Sequence, residues 1–400
     1  MNLSILRARF DRAIDAMRRH GIDMWVSLGR EVHILGEPAF LYLMPADILF
    51  RAALLVTGQG ERICICTAIE QEELEASGLF SSVIVYGGPA GFEAAITEAL
   101  KTRVPAGGRV ALNISSLDPS SDGLTYSDYL LLQRCFAAAG FAGEVVSSEP
   151  VMKCIRGKKS DGEVAKIANA VRLAMGVYEQ ARPCLRLGMS GEDVQRLFQG
   201  IINGHGWRYS WEERNNPFVS VGARSSYMCK HPPADIFIEP GDVINVDLGI
   251  RVDGFASDNQ RTFYALRPGE SGPPEEVRQA FATLQRMNRE VCAAMKTGVD
   301  SPSLTAIGDR VMKECGYPQG WKGGYGHEIG LFAHNGGIGA GSSPMRAGLD
   351  SVLEENMTFT LEPAILTPYG RVCQEEVVQV TGSGGVMLST PQQDIWLITQ

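Results

Sequence analysis

Several features that mark large classes of proteins are missing from this sequence. It has no apolar run long enough to cross a membrane, and its start lacks the uninterrupted apolar segment of a secretory signal peptide. Instead, Leu6, Phe10, Ile14 and Met17 recur at helical spacing and predict an amphipathic helix. We therefore expect a cytoplasmic protein that does not bind a membrane.

Signatures of several common enzyme and binding classes are also missing. The sequence contains no GxGxxG motif, no Walker A lysine loop and no GxSxG elbow. Its nine cysteines are an odd number without a CxxC pair, which is typical of reduced, packed thiols. A net charge of -9 without a long basic run argues against a nucleic-acid partner.

The length of 400 residues is too great for one ordinary core and indicates two domains. Residues 1–150 alternate helix and strand patterns, as in an α/β domain with its own core. A basic connector that reads KCIRGKKSD leads to a second domain at residues 158–400. Patterns at 162–182, 274–295 and 302–315 predict helices there, and Ser190 with Asp193 predicts the capped start of another.

The stretch from Asn245 to Phe263 organises the second domain. It contains two β-patterned arms, joined through a turn at Gly254, and the arms carry Asp247 and Asp258. A hairpin would bring both carboxylates to the same end of a sheet. A buried carboxylate has to be paired or bound to a metal. On this hairpin alone, however, solvated surface acids are the simpler interpretation.

The remainder of the second domain favours a metal site. His327 lies in the run GHEIGL, Glu362 ends a strand pattern in TLEP, and two further acids begin another in QEEVVQVT. These two acids are Glu375 and Glu376, and each residue of the set lies at the edge of a predicted strand. A carboxylate-rich set with one imidazole suits a pair of hard-to-borderline divalent ions rather than a structural zinc.

The order Asp, Asp, His, Glu, Glu resembles that of the pita-bread metallopeptidases, which include methionine aminopeptidase, Xaa-Pro aminopeptidase, prolidase and the metal-free creatinase. The eleven-residue step from Asp247 to Asp258 matches the family pattern, and SDNQRTF, GHEIGL and MTFTLEPAI are similar to its motifs. The resemblance covers roughly the last 240 residues. It implies a creatinase-like α/β N-terminal domain followed by an α+β pita-bread catalytic domain.

The resemblance also implies five metal ligands: Asp247, Asp258, His327, Glu362 and Glu375. In the family pattern, Asp258 and Glu375 would bridge two divalent ions. Glu375 is preferred to Glu376 because the family ligand stands six residues before the strand-closing threonine, here Thr381. Manganese is the expected metal, with cobalt, iron or zinc as alternatives.

Three residues are implied to act on the substrate. Glu362 would take the proton of the nucleophilic water, while His231 and His334 would donate to the developing oxyanion or the departing nitrogen. His231 stands sixteen residues before Asp247, and His334 stands seven after His327, as in the family. Without the resemblance, His231 would be interpreted as an ordinary loop histidine.

The implied activity is that of a dinuclear Xaa-Pro aminopeptidase or dipeptidase, which cleaves an X–Pro amide in short peptides and works as a homodimer. The sequence departs from the family pattern at three places, all on the substrate side. The run NGG follows His334, and Ala364 replaces the glycine of the family's Glu-Pro-Gly motif. Cys373 replaces an arginine for which Arg371 is a nearby substitute.

These departures leave a non-peptidase on the same scaffold open. It would be a creatinase-like C–N hydrolase acting on a small amide, or a metal enzyme resembling dimethylsulfoniopropionate lyase. The intact ligand set argues against a metal-free enzyme. The intact ligand set and the net negative charge also argue against a third class, a binding protein with a degenerate site.

Overall fold

The computed structural model describes residues 2–31, 36–116, 118–225, 232–318, 326–335 and 352–399. The chain divides into two compact units, Met1–Ser160 and Asp161–Gln400. Helices of the first unit are α1 (Leu3–Arg19), α2 (Pro38–Leu43), α3 (Ala68–Ala76), α4 (Gly88–Arg103), α5 (Tyr126–Ala139) and α6 (Glu149–Gly157). Its strands are β1 (Met24–Gly29), β2 (Ala52–Thr57), β3 (Arg62–Cys66), β4 (Ser82–Val85), β5 (Arg109–Leu112) and β6 (Glu144–Ser147).

The first unit is built on a six-stranded sheet with the strand order β4-β3-β2-β1-β5-β6. Strands β1, β2 and β3 are antiparallel neighbours, whereas β4, β5 and β6 join the sheet in parallel. Strands β2 and β3 form a hairpin, with Ala53 of β2 opposite Ile65 of β3. Strands β1 and β2 are buried along their whole length, which indicates that both faces of the sheet are covered.

The predicted basic connector at 153–161 is wrong for its first half. Helix α6 runs through it as far as Gly157 and belongs to the first unit. Val151, Met152 and Ile155 are buried on one side of this helix. Burial of this apolar face outweighs the effect of the basic residues between them. The first unit therefore extends to Ser160, whereas the sequence predicts an end at residue 150.

Glu37 is the centre of a buried polar network in the first unit. Its carboxylate accepts hydrogen bonds from the side-chain amide of Asn113 and, at 3.0 Å, from the main-chain N–H of Phe40. Asn113 also accepts from the indole N–H of Trp25 at 2.8 Å and donates to Ser27 at 2.9 Å. Burial raises the pKa of Glu37 to about 7, because the hydrogen bonds offset the lost solvation only in part.

The second unit holds the sequence motifs of interest. Its α-helices are α7 (Asp161–Ala181), α8 (Gly191–Gly204), α9 (Glu275–Ala294) and α10 (Ser301–Glu314). Its first strands are β7 (Arg208–Tyr209), β8 (Phe218–Val221), β9 (Val243–Leu248), β10 (Ile250–Val252), β11 (Phe255–Ala256) and β12 (Asn259–Ala265). The later strands are β13 (Thr358–Leu361), β14 (Ala364–Thr367), β15 (Gly370–Cys373), β16 (Glu376–Val380), β17 (Gly385–Met387) and β18 (Trp396–Ile398).

Small sheets and covering helices form the core of this unit. The sheets have the strand orders β18-β12-β9-β8, β13-β16-β17, β11-β10-β7 and β14-β15. Apolar residues of α9 and α10, among them Phe281 and Val311, pack with Phe359 and Val378 of the second sheet. Apolar residues of α7 and α8 pack against β9 and β12 in the same way. The helices predicted at 162–182, 274–295 and 302–315 are confirmed as α7, α9 and α10.

Ser190 caps helix α8 as its sequence pattern predicts. The Ser190 hydroxyl accepts from the N–H of Asp193 at 3.1 Å, and the Asp193 carboxylate accepts from the N–H of Ser190 at 2.9 Å. No helix among the described residues has both the length and the apolarity needed to span a membrane. The eight cysteines in the described part of the chain are free thiols.

Candidate metal centre

The two aspartates belong to a buried antiparallel hairpin. Strands β9 and β12 pair so that Asp247 lies opposite Gln260, and Asp258 comes immediately before β12. Gly254 lies in the intervening turn with a φ of +85°. Asp247 is 9% exposed and Asp258 is 4% exposed. Because both carboxylates lie inside the protein, the interpretation as solvated surface acids is wrong.

A second antiparallel pair of strands brings two glutamates to the same edge of a sheet. Strands β13 and β16 pair with Leu361 opposite Glu376. Glu362 therefore follows the end of β13 at the point where Glu375 precedes the start of β16. Glu375 is 1% exposed, whereas the side chain of Glu362 is 25% exposed. Antiparallel pairing thus makes neighbours of two acids that are thirteen residues apart in the sequence.

His327 is held against β13 by its main chain. Its oxygen accepts from the N–H of Thr360 at 2.8 Å, and its N–H donates to the Thr360 hydroxyl at 3.1 Å. The ring atom Nδ1 lies 3.4 Å from the main-chain oxygen of Glu328, which favours a proton on Nδ1 and a lone pair on Nε2. Nε2 lies 3.2 Å from Glu362 Oε1 and 3.6 Å from Asp258 Oδ2.

These strand edges converge on one buried cluster. Ligand atoms of Asp258, His327 and Glu375 all lie within 4.8 Å of one another, a separation that allows them to hold a metal ion. The carboxyls of Asp247 and Asp258 are close enough for each to affect the pKa of the other, and Glu362 Oε1 lies 3.2 Å from Nε2 of His327. The structure therefore brings together the five residues that the sequence pattern selects as ligands.

Burial makes the cluster unfavourable as a group of free anions. Burial, reinforced by the charge of Glu362, raises the pKa of Asp247 to about 7. Burial and neighbouring carboxylates raise the pKa values of Asp258 and Glu375 well above their ordinary range, and burial also raises the pKa of Glu362. The pKa of His327 is lowered by burial to about 4, so its ring is neutral at pH 7.

Three carboxylate oxygens of the cluster are buried without a hydrogen-bond partner among the described residues. They are Asp247 Oδ1 and both Oε atoms of Glu375. Burial is the main cause of the raised pKa of Glu375, and the nearby Gln260 side chain offsets this rise only in part. Buried anionic oxygens are normally hydrogen-bonded or bound to a metal. The donor set therefore fits divalent cations, which would supply the missing positive charge and find a free lone pair on neutral His327.

Glu376 is the first residue of β16, and its side chain has other partners than that of Glu375, which immediately precedes the strand. Its carboxylate accepts from Arg261 Nη2 at 3.0 Å and from the Ser389 hydroxyl. Arg261 and Glu376 are 1% and 0% exposed, so this is a fully buried ion pair. Arg261 Nη1 also donates to the main-chain oxygen of Glu375 at 2.9 Å. The structure thus places Glu375 in the cluster and Glu376 behind it.

Two supporting residues were missed by sequence reasoning. Gln260 donates from Nε2 to Glu362 Oε2 at 3.3 Å, and the Thr360 hydroxyl donates to Glu362 Oε1 at 3.4 Å. The available signal was the polar start of β12, which reads NQRT although the strand is buried along its whole length. Polar side chains within such a strand indicate specific partners.

Arg371 brings a positive charge to the same region. It is 7% exposed, and its Nη1 donates to Asn245 Oδ1 at 3.3 Å. Its charge opposes the effect of burial on the pKa of Asp247 and of Glu362. Cys373, at the position where the family commonly has an arginine, is fully buried.

Of the two predicted substrate-side histidines, the structure describes His334. The ring of His334 lies beside that of His327, with a centroid distance of 4.4 Å and an interplanar angle of 47°. Partial desolvation, together with the neighbouring His327, lowers the pKa of His334 although the residue is exposed to solvent, so its ring is neutral at pH 7. His231 lies outside the described residues.

Comparison with known proteins agrees with this geometry. Residues 165–389, more than half of the chain, match the sequence model of metallopeptidase family M24. The chain is 24% identical over 331 residues to the Xaa-Pro dipeptidase of Lactobacillus delbrueckii subsp. lactis, which covers 81% of each protein. It resembles the X-Pro aminopeptidase from Thermotoga maritima MSB8 with a TM-score of 0.74 at 22% identity, over 96% of this chain and 100% of that one. The Xaa-Pro dipeptidase from Bacillus anthracis aligns with a TM-score of 0.76 at 20% identity, over 98% and 100%.

This chain belongs to metallopeptidase family M24, and it is a metallopeptidase. The resemblance inferred from its motifs is confirmed. The predicted fold class, an α/β N-terminal domain with an α+β pita-bread catalytic domain, is also confirmed. Since the family uses divalent metals, a metal site is the role that the buried carboxylate cluster fits.

Proposed function

We propose that this metallopeptidase binds two divalent ions through the five clustered residues: Asp247, Asp258, His327, Glu362 and Glu375. Four carboxylates and a neutral imidazole carry up to four negative charges, which two divalent ions balance and one ion does not. The observation that carries the proposal is the set of buried oxygens on Asp247 and Glu375 that have no hydrogen-bond partner within the described ranges of the chain. Manganese is the expected metal because oxygen-rich ligand sets suit it, with cobalt, iron or zinc as alternatives.

The roles proposed for the ligands follow the family pattern. Asp258 and Glu375 would hold both ions, Asp247 would complete the ligands of one ion, and His327 and Glu362 would complete those of the other. Bound ions of this kind supply a hydroxide at neutral pH by lowering the pKa of water. Glu362 is the ligand most open to solvent, with a side chain 25% exposed against 7% for His327, and it accepts the proton of the attacking water. Burial raises the pKa of Glu362 when no metal is bound.

His334 is the proposed hydrogen-bond donor to the developing oxyanion or the departing nitrogen. Its neutral ring has one N–H to donate, and its position beside His327 places it next to the ligand cluster. A donor fixed in place before the reaction stabilises the transition state without reorganisation. His231 is proposed for the same task on the strength of the family resemblance.

The proposed substrate is a short peptide with an X–Pro amide. Support comes from the relatives described above, whose names specify Xaa-Pro bonds, and from the shared fold. The departures at Ala364, Cys373 and the run after His334 do not change any of the five proposed ligands. A homodimer and a cytoplasmic location also belong to the proposal, the second in keeping with the free thiols of the described cysteines.

A substrate panel with defined metals tests this function. Protein treated with a chelator is reloaded with manganese, cobalt, iron or zinc and given Ala-Pro, Ala-Pro-Ala and the matched control Ala-Ala. We expect metal-dependent release of alanine from the proline peptides at least about tenfold faster than from Ala-Ala, a difference of about 1.4 kcal/mol in barrier. Preference for Ala-Pro would indicate a dipeptidase, and preference for Ala-Pro-Ala an aminopeptidase.

Creatine and dimethylsulfoniopropionate complete the panel as probes of the non-peptidase alternative. Turnover of either compound, with no cleavage of a proline peptide under any metal, would contradict the proposed substrate class. If this turnover required a reloaded ion, the metal-binding proposal would stand; turnover by the chelator-treated protein would contradict it.

A further inference from the structure

The segment that follows His327 is closed by two buried polar residues, Glu328 and Asn335. They are 7% and 2% exposed. The main-chain N–H of Asn335 donates to the main-chain oxygen of Glu328 at 2.8 Å, and the Asn335 side-chain amide donates to Glu328 Oε1 at 2.9 Å. These two hydrogen bonds join the ends of residues 328–335, which we call the 328–335 loop.

Each end of the 328–335 loop adjoins a histidine of the proposed centre. His327 precedes Glu328, and His334 precedes Asn335. The two rings lie with their centroids 4.4 Å apart. The Glu328 main-chain oxygen that accepts from Asn335 also lies 3.4 Å from Nδ1 of His327. A single carbonyl oxygen therefore connects the His327 ring with the residue after His334.

The first end of the loop is anchored on strand β13. The N–H of Ile329 donates to the main-chain oxygen of Thr358 at 3.0 Å, and the Thr358 hydroxyl donates to the Ile329 oxygen at 2.7 Å. At the other end, the Asn335 amide packs directly against Gly330, where an added Cβ would lie 2.9 Å from Asn335 Nδ2. The amide thus fills a space that is available because residue 330 is a glycine.

We propose that Glu328 and Asn335 form a clamp that positions the His334 ring beside His327 for its part in the reaction. This inference rests on the proposed function, since it assumes that His334 donates to the transition state. Asn335 and Glu328 are positioning residues, which act through His334. When the clamp is broken, the His334 ring loses its fixed place, so an interaction specific to the transition state weakens. Turnover and kcat/KM then fall together, while KM and metal content stay the same.

Single variants provide the first test. Asn335→Ala removes the amide, and we expect kcat to fall about 10-fold or more with metal content unchanged. Glu328→Ala should match it, whereas Glu328→Gln keeps a side-chain oxygen for the Asn335 amide and should restore most of kcat. Gly330→Ala offers a second route to the same loss if Asn335→Ala does not fold, because its methyl group displaces the amide while both clamp residues remain.

A double-variant comparison separates positioning from a general structural role. In a His334→Ala background the clamp has no ring to position, so adding Asn335→Ala should leave kcat unchanged. An equal loss from Asn335→Ala with and without His334 would overturn the clamp. Full activity in His334→Ala alone would instead overturn the proposed role of His334, and the purpose of the clamp with it.

A spectroscopic readout on metal-free protein makes the test independent of activity. Long-range proton–nitrogen spectra resolve the imidazole rings, and the signals lost in His334→Gln identify those of His334. We expect these signals to shift or broaden in Asn335→Ala and to return to their wild-type positions in Glu328→Gln. Unchanged His334 signals in folded Asn335→Ala protein would overturn the clamp whatever the kinetics show.

Discussion

The same substitution at the adjacent residues Glu375 and Glu376 should have opposite effects on the stability of the metal-free protein and on metal binding. Glu375→Gln and Glu376→Gln make the same chemical change one residue apart. Both side chains are buried. The oxygens of Glu375 lie in the ligand cluster without hydrogen-bond partners among the described residues, whereas Glu376 accepts from Arg261 and Ser389.

The magnitudes follow from these surroundings. Removing one partner of a buried ion pair typically costs about 3–5 kcal/mol. Since Arg261 keeps its hydrogen bonds to main-chain oxygens, including that of Glu375 at 2.9 Å, we expect the lower end, about 3 kcal/mol, for Glu376→Gln. In metal-free protein, Glu375→Gln breaks no such pair and removes one of several mutually repelling buried carboxyls. Its free energy of unfolding without metal should therefore be unchanged or higher.

Urea unfolding of chelator-treated protein, followed by metal titration and rate measurements, checks both halves of this prediction. Glu375→Gln should lower metal occupancy and abolish metal-dependent activity. Glu376→Gln should retain metal and lose activity by a smaller factor, about 10–100-fold. Glu376 acts on the ligand only indirectly, through Arg261, which donates to the main-chain oxygen of Glu375. If Glu376→Gln lost metal more severely than Glu375→Gln, the assignment of the ligand would be wrong by one residue.

Three further predictions concern the acceptor of the proton, the buried acid of the first unit and a helix cap. Glu362→Gln keeps the side-chain size but cannot accept the proton, so turnover should vanish while circular dichroism shows an unchanged fold. Turnover within about tenfold of wild type, roughly 1.4 kcal/mol of barrier, would contradict the role of Glu362 as proton acceptor. The folded state holds the Glu37 proton more tightly than the unfolded chain, so the contribution of Glu37 to stability falls as pH rises from about 4.5 to about 7. Glu37→Gln should therefore be more stable relative to wild type at pH 8 than at pH 4.5, by about 3 kcal/mol in urea unfolding, and a pH-independent difference would refute this. Ser190→Ala should lower the free energy of unfolding by about 1 kcal/mol because it removes the capping acceptor of α8, and Ser190→Asp, which keeps an acceptor, is the control.

Much of the candidate metal site was predictable because the motifs that carry the family resemblance are local in the sequence. The alternation of strand residues requires that only one of Glu375 and Glu376 faces the site, and the family register, rather than the apolar pattern, selects Glu375. The helices of the second unit were predictable from apolar periodicity, and the start of α8 from the Ser190–Asp193 capping pattern.

Other features depend on contacts that sequence patterns do not encode. The partner of Glu376 is Arg261, more than a hundred residues away in the chain, and the pairing is set by how β12 meets β16. The hydrogen bonds between Glu328 and Asn335 require a closed loop whose conformation follows from its anchoring on β13. Helix α6 was missed because its basic residues mask an apolar face that is visible only once its packing is known.

The number of divalent ions bound by each chain tests the central claim most directly. Protein purified without chelator is analysed for metals, then stripped and titrated calorimetrically with manganese, cobalt, iron and zinc, with Glu375→Gln as the matched control. The five-residue cluster predicts close to two ions per wild-type chain and fewer in the control. A single ion per chain would contradict the dinuclear centre, and no stoichiometric binding of any of the four metals would contradict the metal site itself.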